Sequence, residues 1–432
     1  MAVDTSPPPL SVTELNACVS PSAQRPVKVT TFREWVVSNQ IGISLTTLSM
    51  LLAVHHLYPS LAPYTTPFFQ LSYYQPSQGV YIQGKDDIYF VVSSIFAFTA
   101  IRAMAIEWVF LPSAQWLGLK RKASVRLAEQ AWMWIYYAFF WTFGMYIWSQ
   151  SNYWMDFKAI WAEWPARGVT GSMKWYLLAQ LAFWIQQIFV INIEEPRKDH
   201  YQMLTHHFIT STLLASAYIY SFYNVSNVVL SLMDVVDLLL PTAKILKYIG
   251  FELSCNIAFG VMMVVWAVSR HISYPLLLWS IFKDVPDAMP YGCYSGTTAE
   301  MISTNGYPDK ITHLFYPFLD LDGPICMNRT IKWIFLSFLL ALQVLSIIWF
   351  TMVIRVAVGV LRTGNAEDSR SDDEEEEELD IDSLPKDAPN GSAVSADVSS
   401  AEFRRSNGPS SARPRRTDRK ALLGRIGCDT RT

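Results

Sequence analysis

Eight predominantly apolar blocks alternate with shorter polar stretches along this chain, near residues 37–57, 88–110, 131–150, 173–193, 204–223, 225–246, 253–282 and 331–361. A hydrocarbon core of about 30 Å needs ~20 residues of helix to cross it. The pattern therefore predicts an all-α polytopic membrane protein with about eight transmembrane helices. The fifth and sixth blocks are the least uniform, because they carry His206, His207, Asp234 and Asp237. Composition agrees with this class: 51% of the 432 residues are hydrophobic, 14% aromatic and only 16% charged, well to the apolar side of a soluble domain. The net charge of −3 is too unevenly distributed to identify a partner.

That unevenness is informative about orientation. Lys120, Arg121, Lys122 and Arg126 fall in loop 111–130, Arg197 and Lys198 in loop 194–203, and Lys244 and Lys247 at the junction of the sixth and seventh blocks. These are alternate connections, and the intervening loops 58–87 and 149–172 are poor in base. Since Lys and Arg in short loops stay on the cytoplasmic side, both termini are expected in the cytosol. Residues 1–36 are polar and contain no short apolar core, so the first span is expected to serve as its own signal anchor. The tail 363–432 is acidic ("SDDEEEEELDIDS") and then basic ("RPRRTDRK"), a composition that cannot bury enough surface to order itself.

An ionisable group inside a membrane segment is costly and usually faces the protein interior. Here the pair His206–His207 opens the fifth span, in "DHYQMLTHHFIT", and Asp234 and Asp237 in "LSLMDVVDLLL" share one face of the sixth at spacing i, i+3. If the two spans run antiparallel, a rise of ~1.5 Å per residue puts Asp237 roughly 9 Å and His207 4–5 Å from their cytosolic ends. Contact between the side chains is then feasible. A second pair, His55–His56, lies at the other end of the first span, where amphipathic rings favour the interface and need no catalytic role.

The run from Arg197 to Gly250, with "RKDHYQMLTHHFIT", "SFYNVSNVVLSLMDVVDLLL" and "KILKYIG", resembles the longevity-assurance motif of ceramide synthases in the TLC superfamily. The resemblance covers about residues 125–360, with "WAEWP" at 161–165 as a weaker feature, and no homeobox-like insert precedes it, as in fungal and plant-type members. It implies a catalytic domain at 125–362, preceded by two spans over 37–124, whose six helices surround a cavity. It also implies N-acyl transfer from acyl-CoA to a sphingoid base in the endoplasmic reticulum membrane, with acyl-CoA a substrate and no cofactor. Expected partners are membrane lipids, a second synthase chain in a homo- or heterodimer, a small single-span regulatory subunit, and an acidophilic kinase acting on Ser369 and Ser371, each with an acid three residues on.

The residue types fit that chemistry on their own terms. An amine attacks a thioester slowly unless its proton is removed or the acyl group first passes to a better-placed carrier, and imidazole can do either near neutral pH. A buried carboxylate would orient the ring and stabilise the imidazolium. Adjacent helical residues point about 100° apart, so the two histidines have different tasks. The resemblance favours His206 as nucleophile or base and His207 as its partner, with Asp234 and Asp237 orienting them. Arg197, Lys198, Lys244 and Lys247 could hold CoA phosphates or simply mark the cytosolic side. Cys293 and Cys326 lie in a loop expected to face the oxidising lumen and are candidates for a disulfide.

Competing classes are less well served. Membrane di-iron enzymes use about eight histidines in HxxxH and HxxHH boxes, whereas this chain has seven in all and "HYQMLTHH" has the wrong spacing, so no metal is expected. The same spacing counts against a fatty-acid elongase. A lipid-sensing or translocon-associated TLC protein is the non-enzymatic alternative, although such members generally lack both the histidine pair and the two aspartates. No phosphate-binding glycine loop or nucleic-acid module is present, and neither acyl chain length nor the choice of base can be read from the chain.

Overall fold

A computed structural model describes residues 31–193, 199–304 and 312–363. Among the described residues, each apolar block falls largely on one long helix: α1 (Phe32–Leu57), α2 (Asp87–Trp116), α3 (Arg121–Ser149), α4 (Gly171–Ile193), α5 (His200–Ile219), α6 (Tyr223–Ile249), α7 (Glu252–Lys283) and α8 (Arg329–Thr363). Five of them, α1, α2, α4, α7 and α8, are long and apolar enough by composition to cross a membrane. The other three, α3, α5 and α6, are diluted by basic residues, histidines and aspartates, which is also where the chemistry lies. The protein is a helical, multi-pass membrane protein.

Local signals set the helix limits. Thr31 and Glu34 form a reciprocal capping box at the start of α1. Gly250 ends α6 with φ of 90°, a left-handed conformation that suits glycine. Two π-turns, Ala105–Phe110 in α2 and Ala267–Ser273 in α7, widen otherwise α-helical spans.

Because successive helices are antiparallel, the connections gather at two ends. One end carries the basic junctions, with Lys120–Lys122 and Lys247. The other carries the long loops and two small antiparallel sheets. In the first sheet, β1 (Tyr74–Gln75) pairs with β2 (Val80–Ile82), which pairs with β3 (Gly168–Val169). In the second, β4 (Gly292–Tyr294) lies between β5 (Met301–Ser303) and β6 (Ile325–Met327), with Cys293 opposite Cys326. Those two cysteines form a disulfide with an S–S distance of 2.07 Å, so the loop that was a candidate for bridging is closed.

This end is knitted to the bundle by buried charge. Lys174 Nζ of α4 meets Asp87 Oδ1 of α2 at 2.7 Å and donates to the carbonyls of Ser72 and Ile82 at 2.9 and 2.7 Å. Asp87 Oδ2 accepts from Tyr218 Oη and the Gly84 amide. Arg167 reaches across to the carbonyls of Gly296 and Leu321 and so holds the second long loop.

Helix α4 runs through the middle of the packing: Tyr176, Leu177, Leu178, Ala182 and Phe183 are all buried. By contrast, α1 buries only Ser44 and leaves its apolar side chains facing outward, as expected of a helix solvated by lipid. Helices α3 and α6 approach closely at Gly144, where an added Cβ would lie 2.5 Å from the Tyr176 hydroxyl and 3.2 Å from Ser231 Oγ.

Candidate active site

The histidines sit on α5 and the aspartates on α6, deeper than their sequence positions suggested. Helix α5 begins at His200 and α6 runs on to Ile249. At ~1.5 Å per residue, His207 is therefore roughly 10 Å and Asp237 roughly 18 Å from the helix ends at the basic side. Both pairs lie well inside their helices rather than at the ends.

His206, Asp234 and Asp237 line one cavity with about 100 Å³ of free interior space. Its walls come from α5, α6, α7 and α8, with Trp184 contributed by α4. Helix α3 does not line it. Helix α3 instead packs its inner face against α4 and α6. Most of the lining is apolar, including Leu213, Leu214, Val229, Leu230, Leu339 and Leu342.

His206 is clasped by aromatic rings. Its centroid lies 5.4 Å from Trp184 and 5.2 Å from Trp349, both edge-on, and 5.5 Å from the ring of His207. His207 is 6% exposed, points away from the cavity and packs on Trp184 at 5.2 Å. The two neighbours therefore differ in access, as their angular offset on the helix requires. Of the two histidines, only His206 lines the cavity.

Among the described residues, the hydrogen bonds seen at the aspartates run to Gln180 and Arg270. Asp234, fully buried, accepts a 2.9 Å hydrogen bond from Gln180 Nε2, and Gln180 is itself fixed by a 2.7 Å bond from Tyr136 Oη. Asp237 pairs with Arg270 at 2.9 Å. Arg270 also donates to the Met233 carbonyl at 2.6 Å and stacks over Trp266 at 4.7 Å. Helices α5 and α6 thus present an imidazole and two carboxyl groups to one cavity.

Arg270, Gln180, Trp184 and Trp349 were missed in the sequence. Arg270 carried a usable signal, an arginine in the middle of a 32-residue apolar helix, in "WAVSRHIS". It sits in the π-turn of α7, a feature often found at functional sites.

Several buried polar atoms without a hydrogen-bond partner lie on residues that line the cavity: His206 Nδ1, Thr210 Oγ1, Asp234 Oδ1, Arg270 Nε and Ser346 Oγ. Native interiors tolerate few such atoms, so these are groups with hydrogen-bonding capacity to spare.

Comparison with known proteins decides the family. The TLC domain matches residues 126–355, more than half of the chain. The chain belongs to the ceramide synthase family of TLC-domain proteins. It is 44% identical over 348 residues to a sphingosine N-acyltransferase-like protein of Alternaria alternata, covering 80% of this chain and 78% of that one. It is 39% identical over 330 residues to a ceramide synthase of Gibberella moniliformis, covering 76% and 77%. A sphingosine N-acyltransferase of Schizosaccharomyces pombe is 35% identical over 323 residues, covering 74% and 76%.

Within this family member, the remaining predicted residues are spread out. Lys244 and Lys247 lie on the last turns of α6 at the basic end and do not line the cavity. Arg197, Lys198, Ser369 and Ser371 fall outside the described residues. His55 Nδ1 makes a 2.7 Å hydrogen bond with Thr65 Oγ1 and its ring packs on Phe69 at 5.5 Å, on the opposite end of the molecule from the candidate site.

Proposed function

We propose that this chain is a sphingoid-base N-acyltransferase that makes ceramide from acyl-CoA and a long-chain base. The observation that carries the reading is the placement of His206, Asp234, Asp237 and Arg270 around one long apolar cavity inside the membrane. A polar reacting centre opening on an apolar tunnel suits a substrate with one reactive end and one hydrocarbon tail.

His206 is the group that meets the thioester. In the route we favour, a ring nitrogen attacks the acyl carbonyl, the C–S bond breaks and CoA leaves as the thiolate. The base's amine then attacks the acyl-imidazole, the new C–N bond forms, and the histidine is released as the amine proton passes to a nearby acceptor. His207, behind it, sets the ring's position, and Asp234 and Asp237 offer carboxyl oxygens that can accept hydrogen bonds from the amine. Acyl-CoA is a substrate of this scheme, which uses no resident cofactor. By the positive-inside rule the basic end faces the cytosol and the disulfide end the lumen of the endoplasmic reticulum. On this reading Lys244, Lys247, Arg197 and Lys198 are proposed to receive the CoA phosphates. Dimerisation, a single-span subunit and phosphorylation of Ser369 and Ser371 belong to the same proposal.

The test is reconstitution of the purified chain in vesicles with acyl-CoA and sphinganine or phytosphingosine. Ceramide formation is expected. Absence of product with every base and acyl-CoA tried would overturn the reading in favour of a lipid-sensing role. Intact mass measured with acyl-CoA and no amine is expected to show an acyl adduct that is lost in His206→Ala.

A further inference from the structure

The cavity does not end among hydrocarbon side chains. At its disulfide end it is lined by Trp161, Phe222, Val285, Met327 and Lys332. Lys332 stands in the first turn of α8, whose start is fixed by Asn328 Oδ1 accepting from the Ile331 amide at 2.7 Å. The residue is only 7% exposed. Its ammonium lies 5.4 Å from the centre of the Phe282 ring and 5.9 Å from that of Trp333, and among the described residues no carboxylate or other hydrogen-bond acceptor engages it. Ring faces attract a cation, yet they leave all three of its N–H donors unmatched.

Lys332 and Trp349, the residue that packs on His206, are 17 positions apart on the same helix and line the same cavity. At a helical rise of ~1.5 Å per residue the reacting centre and the ammonium are separated by roughly 25 Å. A hydrocarbon chain whose carbonyl lies at His206 and whose body fills the tunnel would bring its far end to Lys332. A methyl end there meets a cation that it cannot solvate, while an oxygen atom completes a charge-assisted hydrogen bond.

We infer that Lys332 forms a distal subsite of the cavity that recognises an oxygen-bearing terminus, a hydroxyl or a carboxylate, on a long acyl chain. The inference rests on the acyltransferase reading above and names a substrate class for the same cavity. Recognition depends on length: a shorter chain leaves its terminus among Leu214, Leu230 and Leu339, where a hydroxyl loses its hydration without replacement.

The experiment uses the full chain in vesicles with sphinganine and a ladder of acyl-CoAs of increasing length, each supplied with a methyl end and with a terminal hydroxyl. The quantity read is the ratio of kcat/KM for the hydroxylated and plain member of each pair. In the wild type the ratio is expected to lie below one for short chains and to rise roughly tenfold at the length that reaches Lys332. Lys332→Met, of similar length and without donors, should remove the rise, and Lys332→Arg should keep it. A ratio that stays flat with length in the wild type, or a rise that survives in Lys332→Met, overturns the subsite; the wild-type ladder decides even if Lys332→Met fails to fold. A rise seen only when the hydroxyl is carried on the tail of the base overturns the assignment to the acyl chain. If no acyl-CoA is turned over at all, it is the acyltransferase reading that fails.

Discussion

Two acid–base pairs lie within the helical bundle of this protein, and they are built differently. Asp87 and Lys174, near the disulfide end, are 5% and 0% exposed at their side chains, and each is surrounded by further partners: Tyr218 and Gly84 for the aspartate, two backbone carbonyls for the lysine. Asp87 Oδ1 meets the lysine as an ion pair without good hydrogen-bond alignment. Asp237 and Arg270 instead face the cavity, with Asp237 29% exposed and Arg270 Nε unmatched. The first pair is closed and ties an extramembrane loop to the bundle. The second is open and stands among other unmatched polar atoms. Charge inside a bilayer segment is expensive in either setting; what distinguishes a structural pair from a reactive one is whether the protein satisfies it or leaves capacity for a ligand.

The sharpest test of that contrast removes the reactive group the open site surrounds. His206→Ala is expected to lower turnover by roughly a thousandfold, within the range for loss of an acid–base or nucleophilic group, while the thermal midpoint of the detergent-solubilised protein changes little. His55→Ala, which removes a ring from the opposite end, should leave turnover within about twofold. Equal losses in the two variants would dissolve the distinction between the histidine pairs.

Next in size is the closed pair. Lys174→Met leaves Asp87 buried without its cation and should cost about 3–5 kcal/mol of stability, read as a lower thermal midpoint and poorer yield. Adding Asp87→Asn should recover part of the loss, as a double-mutant cycle between contacting residues requires. Turnover per folded molecule should be retained; a loss of turnover with normal stability would move this pair into the active site.

The smallest expected effect comes from the open pair. Arg270→Lys keeps the charge but not the planar fork that reaches both Asp237 and the Met233 carbonyl. We expect turnover to fall about tenfold and stability to change less than in Lys174→Met. If Arg270→Lys proves as destabilising as Lys174→Met, the cavity pair is structural as well.

Much of this was legible in the chain because a membrane imposes a simple rule. Every backbone polar group must be satisfied within a segment, so a block of apolar residues of the right length becomes a helix with little help from its neighbours. The eight blocks, the two-sided distribution of base, and the four ionisable residues His206, His207, Asp234 and Asp237 could all be read from local pattern, as could the candidate pairing of Cys293 with Cys326. Periodicity also separated the two histidines, since adjacent positions cannot share a face.

What pattern could not decide was which side chains meet. Whether Asp234 engages a histidine or Gln180 depends on how α4, α5 and α6 are rotated about their axes, and that is fixed by packing at places such as Gly144 and Tyr176, distant in sequence. The role of Arg270 likewise depends on a π-turn that swings it toward α6, and the position of Lys332 on a cavity that four helices make only together. In a bilayer the sequence of apolar blocks determined that the helices exist and where the costly groups lie along them; the rotations and close approaches that turn those groups into an ion pair, an aromatic clasp or a tunnel end belong to side-chain packing between helices, for which the chain carries no local signal.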